Sequence, residues 1–124
     1  MDKLMVLVVD DSKERLDAFR EKLAGDGIQL ITAECYHEAV MVLDNMHVDV
    51  VFLDHDLGPG RSGYDIAYHI YENPSCKPTY IYIHSTNIVG APRMASLLPG
   101  SVLCPFVWLR PKEELILLLR REEV

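Results

Sequence analysis

Residues 4–12 read LMVLVVDDS: six apolar residues run without a break from Leu4 to Val9, and two aspartates follow. A second apolar stretch, VDVVFLD at residues 48–54, also ends on an acidic residue, Asp54. Strands buried on both faces of a parallel sheet are apolar throughout, without polar alternation. Both stretches are therefore predicted to be central strands with carboxylates at their carboxyl ends.

Short apolar runs alternate with amphipathic segments along the rest of the chain. The predicted strands are Leu4–Val9, Ile28–Thr32, Val48–Leu53, Thr79–Ile83 and Phe106–Leu109, and the predicted helices are Ser12–Ala24, His37–Met46, a segment from about Tyr64, Ala91–Leu98 and a segment from Pro111. Five βα units predict one α/β domain over residues 1–124, a flavodoxin-like parallel sheet of strand order 2-1-3-4-5 with about five helices on its two faces. Ligands of such sheets bind at the carboxyl ends of the strands.

Composition narrows the classes of partner. The 124 residues carry a net charge of −7, which disfavours direct binding to nucleic acid. No apolar run approaches the length of a membrane span, so we expect no membrane association. The three cysteines include no C-x-x-C pair. We expect them to be reduced thiols in a cytoplasmic protein.

Three carboxylates are expected to meet at one edge of the sheet. Asp10 and Asp11 follow the first strand and Asp54 follows the third, and the expected order makes these strands neighbours about 4.8 Å apart. Two carboxylates about 4 Å apart repel by about 4 kcal/mol at an effective dielectric constant near 20. A hard divalent cation such as Mg²⁺ would remove this repulsion. The three aspartates therefore predict a magnesium site.

These residues resemble a known family. LMVLVVDDS at residues 4–12 and VDVVFLD at 48–54 are similar to the receiver domains of bacterial response regulators. The similarity extends to Gly63, Ser85 and the pair Arg110-Pro111. The resemblance covers essentially the whole chain and implies a phosphoacceptor domain with a flavodoxin-like fold.

The resemblance implies a role for each acidic residue. Asp54 would be the phosphoacceptor. Asp10 and Asp11 would bind Mg²⁺ together with Asp54 and the backbone carbonyl of Asp56. An aspartate can attack phosphorus when a metal ion offsets the charge on the phosphoryl oxygens.

The resemblance also implies two phosphoryl contacts, and here the sequence departs from the family. Ser85 would donate a hydrogen bond to a phosphoryl oxygen, and Arg110 would stand where the family has a lysine. Arginine keeps the positive charge but presents a planar fork, so it need not place a nitrogen where an ammonium would lie. Thr86 replaces the usual small residue beside Ser85.

Two histidines open an alternative. His55 follows Asp54 and His84 precedes Ser85, at the ends of strands expected to be adjacent. One neutral and one protonated imidazole can act as base and acid near pH 7. The strings LDHDLG (53–58) and IHSTN (83–87) resemble a divergent receiver group whose proposed role is the processing of cyclic phosphates.

Three functions follow from these observations. The leading hypothesis is a stand-alone receiver that a sensor histidine kinase or phosphotransfer protein phosphorylates at Asp54, and that an unidentified downstream protein reads. The alternative is a metal-dependent enzyme that processes cyclic phosphates or phosphodiesters with His55 and His84. A third is a pseudo-receiver that binds a partner through its last two helices without phosphorylation.

Overall fold

The computed structural model describes residues 3–25 and 27–120, which build a five-stranded sheet flanked by helices. The strands are β1 (Leu4–Val9), β2 (Ile28–Ala33), β3 (Val50–Leu53), β4 (Tyr80–Ile83) and β5 (Val102–Leu103). The helices are α1 (Lys13–Leu23), α2 (Tyr36–Asn45), α3 (Gly63–Glu72), α4 (Gly90–Leu97) and α5 (Lys112–Leu119), with 3₁₀ helices at Pro74–Cys76 and Val107–Leu109. No helix in these ranges is long and apolar enough to cross a membrane.

The sheet has the predicted order, β2-β1-β3-β4-β5, with every neighbouring pair parallel. The strands are in register at their carboxyl ends, because Val9 lies opposite Leu53 and Leu53 lies opposite Ile83. The residues that come next are Asp10, Asp54 and His84. The register therefore brings these three polar residues to one place at the edge of the sheet.

Both faces of the sheet are covered, as the continuous apolar strands predict. On one face α2, α3 and α4 contribute Leu43, Ile66 and Met94 to a buried cluster. On the other face α1 and α5 contribute Phe19 and Leu115 to a second cluster. The predicted flavodoxin-like architecture is confirmed.

The prediction for the fifth strand is wrong in position. Strand β5 is Val102–Leu103, before Pro105, whereas the predicted segment Phe106–Leu109 contains a 3₁₀ helix. Phe106 has a left-handed backbone with φ of 62°, which ends any extended run there. The proline rule excludes a central strand position for Pro105 but fits a strand on either side of it. The backbone N–H of Cys104 donates to the carbonyl of Ile83 at 2.7 Å, which fixes the earlier segment to the sheet.

The turn after β3 requires a glycine at its end. A Cβ atom on Gly63 would lie 1.8 Å from the carbonyl oxygen of Asp54, so no side chain fits there. The Gly63 N–H donates to the carbonyl of His55 at 2.7 Å. Ser62 and Asp65 form a capping box that starts α3 at this point. The chain after Asp54 therefore returns tightly against the strand end.

We predict that Leu43→Ala lowers the free energy of unfolding by about 2–5 kcal/mol, because it opens a cavity beneath α2. The Leu43 side chain is 2 % exposed, whereas Met41 on the same helix is 68 % exposed. Met41→Ala is the matched control and is expected to change stability by less than about 0.5 kcal/mol. Urea denaturation measures both, and equal effects of the two substitutions would contradict the assignment of the buried face.

Candidate functional site

Three ionisable side chains meet where β1, β3 and β4 end. Asp10 and His84 are fully buried, and Asp54 is 5 % exposed. Carboxylate oxygens of the two aspartates and a ring nitrogen of His84 all lie within 4.8 Å of one another. We call Asp10, Asp54 and His84 the acidic pocket. Asp11 was predicted to lie with the two other aspartates, but its side chain is 39 % exposed and lies outside this compact group, whose third member is His84.

Asp10 is the most fully bonded member of the acidic pocket. Its Oδ1 accepts hydrogen bonds from the Ser12 N–H at 2.8 Å and from Arg15 Nη2 at 2.9 Å. Its Oδ2 accepts from Arg15 Nε at 2.7 Å and lies 2.8 Å from His84 Nε2. An ionised carboxylate has about four acceptor positions. All of them on Asp10 are therefore filled by groups of the protein itself.

These contacts determine the ionisation of Asp10. Burial by itself raises the pKa of this carboxyl, but hydrogen bonds from His84, Arg15 and the Ser12 N–H outweigh burial and lower the pKa from 3.8 to about 2. An ionised carboxylate can only accept, so the Nε2 of His84 carries a hydrogen. The other ring nitrogen, Nδ1, is buried and has no hydrogen-bond partner among the described residues.

Arg15 is the residue that sequence reasoning missed. Its guanidinium binds Asp10 through two nitrogens, and its Nη2 lies 3.4 Å from Asp54 Oδ2 and 3.7 Å from Asp11 Oδ1. The same group lies over the Trp108 ring at 5.1 Å from its centroid. A positive charge supplied by α1 thus offsets the repulsion among these carboxylates. The sequence predicts that Mg²⁺ would do so.

A sequence signal for Arg15 exists in the start of α1. Ser12 is the N-cap of this helix and accepts a hydrogen bond from the Arg15 N–H at 3.3 Å. Side chains in the first turn lean toward the helix N-terminus, which here lies beside Asp10 and Asp11. An arginine four residues after Asp11 is therefore placed to reach back to the strand end.

Asp54 has different surroundings from Asp10. Its Oδ1 accepts the backbone N–H of His55 at 2.9 Å, while among the described residues its Oδ2 has only the 3.4 Å contact to Arg15. Burial, with the nearby Asp10 charge, raises the pKa of Asp54 against the opposing effect of His84. Ser85, 6 % exposed, follows His84 at the end of β4, and its Oγ accepts the Asn87 N–H at 3.1 Å.

The remaining predicted metal ligands lie at the rim of the pocket. The side chains of Asp11 and Asp56 are 39 % and 68 % exposed. Asp56 Oδ1 lies 2.8 Å from His55 Nδ1 and 3.2 Å from Asn87 Nδ2. The pKa of Asp56 is lowered, chiefly by the hydrogen bond to His55. The Asp11 carboxylate therefore faces solvent, where a cation can reach it. The Asp56 carboxylate is held by His55 and Asn87, and the backbone carbonyl of Asp56 stays the predicted metal ligand.

The two histidines have separate partners. His55 bonds to Asp56 and packs on α4, where a Cβ atom on Gly90 would lie 2.4 Å from the His55 ring. His84 is bonded to Asp10 and enclosed by the rings of Phe19 and Trp108, whose centroids lie 5.4 Å and 6.0 Å away. His84 thus belongs to the acidic pocket, and the ring of His55 belongs to its rim.

Arg110 was predicted to follow the fifth strand directly, but it does not follow β5. The residue that does so, and that precedes a proline, is the buried Cys104, which has no basic side chain. Arg110 lies after the 3₁₀ helix that follows, and within residues 3–25 and 27–120 no hydrogen bond or ion pair joins its side chain to the acidic pocket. Its role as a phosphoryl contact stays a prediction.

A family model described as the cyclic-phosphate processing receiver domain matches residues 5–100. The chain belongs to this receiver family. The matched segment carries the whole acidic pocket and Arg15, and it ends before β5, where Cys104 and Arg110 depart from the predicted pattern. No curated protein matches the sequence.

Solved receivers share the fold. The phosphorylated cyanobacterial phytochrome response regulator RcpA is 19 % identical, with a TM-score of 0.75 over 98 % of this chain and 91 % of that one. The response regulator TrrA from Thermotoga maritima, solved with Mg²⁺ and BeF, is 25 % identical, with a TM-score of 0.70 over 95 % and 99 % of the two chains. A Burkholderia pseudomallei response regulator with a phosphorylated aspartic acid, calcium and citrate is 18 % identical, with a TM-score of 0.70 over 99 % and 74 %.

We predict that this receiver loses about 2 kcal/mol of stability as the pH falls from about 4 to about 2, through protonation of Asp10. The folded pKa lies below the unfolded value of 3.8, so the stabilisation is complete above that value and disappears below about 2. Arg15→Gln removes hydrogen bonds that lower this pKa and should flatten the loss. Urea unfolding across this pH range measures it. Arg20→Gln, an exposed change on the same helix, is the control, and an equally steep loss in Arg15→Gln would contradict the assignment.

Proposed function

We propose that this receiver accepts a phosphoryl group at Asp54 in a magnesium-dependent reaction. The observation that carries the proposal is the contrast between the two buried carboxylates. Asp10 has every acceptor position filled, whereas Oδ2 of Asp54 makes only a long contact, to Arg15, within the part of the chain that the structure describes. Attack by Oδ2 would form the bond to phosphorus while the bond from phosphorus to the donor's leaving group breaks.

The donor set suits a hard cation. Asp10, Asp11 and Asp54 offer carboxylate oxygens, and the backbone carbonyl of Asp56 is the remaining predicted ligand, a set of oxygens that Mg²⁺ prefers. When bound, the ion would neutralise charge on the phosphoryl oxygens. The guanidinium of Arg15 already stands among these carboxylates as a cation.

Arg15 and Mg²⁺ therefore compete for Asp10. A direct bond from Asp10 to the ion requires a free lone pair, and the filled carboxylate offers one only after Arg15 withdraws. The Arg15 side chain is 30 % exposed, so solvent is open to it in one direction. A displaced guanidinium presents a planar fork that matches phosphate oxygens, and we propose that Arg15 contacts the phosphoryl group alongside Ser85 and Arg110.

The partners in this proposal are a sensor histidine kinase or a phosphotransfer protein as donor and a downstream protein that reads the phosphorylated state. Among the solved receivers of the same fold, RcpA is phosphorylated and the Burkholderia pseudomallei regulator carries a phosphorylated aspartic acid. TrrA was solved with Mg²⁺ and BeF. Family membership together with the pocket of Asp10 and Asp54 supports the same chemistry here.

The description of the family names one other candidate, the processing of cyclic phosphates. That reaction would use His55 and His84 as base and acid. The ring of His84 is fully buried and bonded to Asp10, and His55 is bonded to Asp56. The two imidazoles therefore do not face a common substrate site as a base and an acid would, and the phosphoacceptor function is preferred.

We predict that acetyl phosphate with Mg²⁺ adds one phosphoryl group to the wild-type protein and none to Asp54→Asn. Asp54 is the only buried carboxylate of the pocket with an oxygen that lacks a short hydrogen bond, within the part of the chain that the structure describes. Intact-mass analysis measures the uptake. Cys35→Ser, which removes an exposed thiol, should behave as wild type.

The same samples are incubated with a 2′,3′-cyclic phosphate. Hydrolysis by the wild type that is lost in both His55→Gln and His84→Gln would replace the phosphoacceptor with the enzyme. No phosphoryl uptake by folded wild type at saturating donor, and no hydrolysis, would leave the pseudo-receiver as the function.

We predict that Arg15→Gln binds Mg²⁺ about 10-fold more tightly than wild type, equivalent to about 1.4 kcal/mol. The substitution removes a positive charge near the proposed site; such a charge at about 4 Å contributes about 4 kcal/mol at an effective dielectric constant near 20, and solvent screens part of it. Calorimetric titration measures the affinity. Arg20→Gln, which removes an exposed charge from α1, should match wild type. Weaker or unchanged binding in Arg15→Gln would show that Arg15 does not compete.

A further inference from the structure

A second group of metal-ligating side chains lies away from the acidic pocket. Asp44, His69 and Cys76 each offer one ligand atom, and the three atoms lie within 4.8 Å of one another. Asp44 Oδ1 is 2.8 Å from His69 Nε2. These residues come from α2, α3 and the 3₁₀ helix that precedes β4. In a parallel α/β fold the ends of these helices lie at the amino-terminal edge of the sheet, opposite the acidic pocket.

We propose that Asp44, His69 and Cys76 bind a borderline divalent transition metal, Zn²⁺ by its chemistry. One imidazole nitrogen, one sulfur and one carboxylate oxygen form a mixed donor set that suits zinc and does not suit Mg²⁺ or Ca²⁺. Three protein ligands leave the fourth position of a tetrahedral site to water. As the sulfur–metal bond forms, the Cys76 thiol proton leaves to solvent.

The surroundings have room for the ion and for its water ligand. The three side chains line one open cavity of about 350 Å³, and His47 lines the same cavity. The imidazole of His69 is 18 % exposed and the carboxylate of Asp44 is 47 % exposed, so an ion can enter from solvent. Cys76 is half-buried beside them.

The backbone also favours a cation at this place. Asp44 and His69 lie in the last turns of α2 and α3, and the carbonyl groups at a helix C-terminus carry partial negative charge. The last turn of α2 has no basic residue. Two helix ends of the same polarity therefore meet at the three ligands, and a metal ion would join α2 and α3 to the segment that leads into β4.

Co²⁺ tests the site because a cobalt–thiolate bond gives a charge-transfer absorption band that other ligands do not give. The chelator-treated, reduced protein is titrated with Co²⁺ alone, and then with Zn²⁺. We expect one equivalent of Co²⁺ to produce the thiolate band and one equivalent of Zn²⁺ to remove it. The band should be absent in Cys76→Ser. His69→Gln should weaken binding by at least about 10-fold, the lower range for loss of even a supporting residue of a metal site.

Matched variants separate this site from other thiols, imidazoles and carboxylates. Cys35→Ser and His37→Gln change exposed residues on or next to α2 and should retain the band at wild-type affinity. Asp54→Asn should also retain it. No thiolate band in wild type, or a band that persists in Cys76→Ser, would overturn the proposal. A spectrum without thiolate character that disappears in Asp54→Asn would assign the metal to the acidic pocket and overturn it as well.

Discussion

The bonding of Asp10 is the constraint on which the rest of the site depends. A carboxylate removed from water loses several kcal/mol of hydration, and only nearby charges and hydrogen bonds can replace it. Here the replacement comes from Ser12 and Arg15 at the start of α1 and from His84 at the end of β4. These contacts span the sheet across β3, so one ionised group holds a strand, a helix start and a second strand in a fixed relation around Asp54.

The parts of the fold that bury side chains could be predicted from the sequence. Leu4–Val9 is apolar at every position and Val48–Leu53 at every position but Asp49, so both are predicted as interior strands, and the structure buries β3 completely. The run Val102–Leu103 gave no such signal, because it is a two-residue edge strand with both side chains exposed. Its place depends on a backbone bond to Ile83, a long-range contact that local pattern does not carry.

The acidic residues of the candidate site could be predicted from the sequence, but the groups that bind them could not. Repulsion among strand-end aspartates called for a cation, and that requirement is a property of the sequence. Either Mg²⁺ or the Arg15 guanidinium can offset this repulsion. Which of them does so depends on the conformation of a long, flexible side chain, which local sequence does not determine. The sequence likewise predicts that His84 lies at a strand end. Its tautomer and its hydrogen bond to Asp10 could not be predicted, because they depend on its burial beside that carboxylate.

Arg15 connects the acidic pocket to the segment that leads into α5. Arg15 contacts Asp10 and also lies over the Trp108 ring, and the backbone carbonyl of Trp108 accepts a hydrogen bond from Lys22 on the same helix. Trp108 sits in the 3₁₀ helix that leads into α5. An arginine that withdraws from Asp10 must change its contact with this ring, because both contacts use one planar group. In the proposed function, events at Asp54 would therefore reach the start of α5 through Arg15 and Trp108, a route built from two contacts of a single side chain.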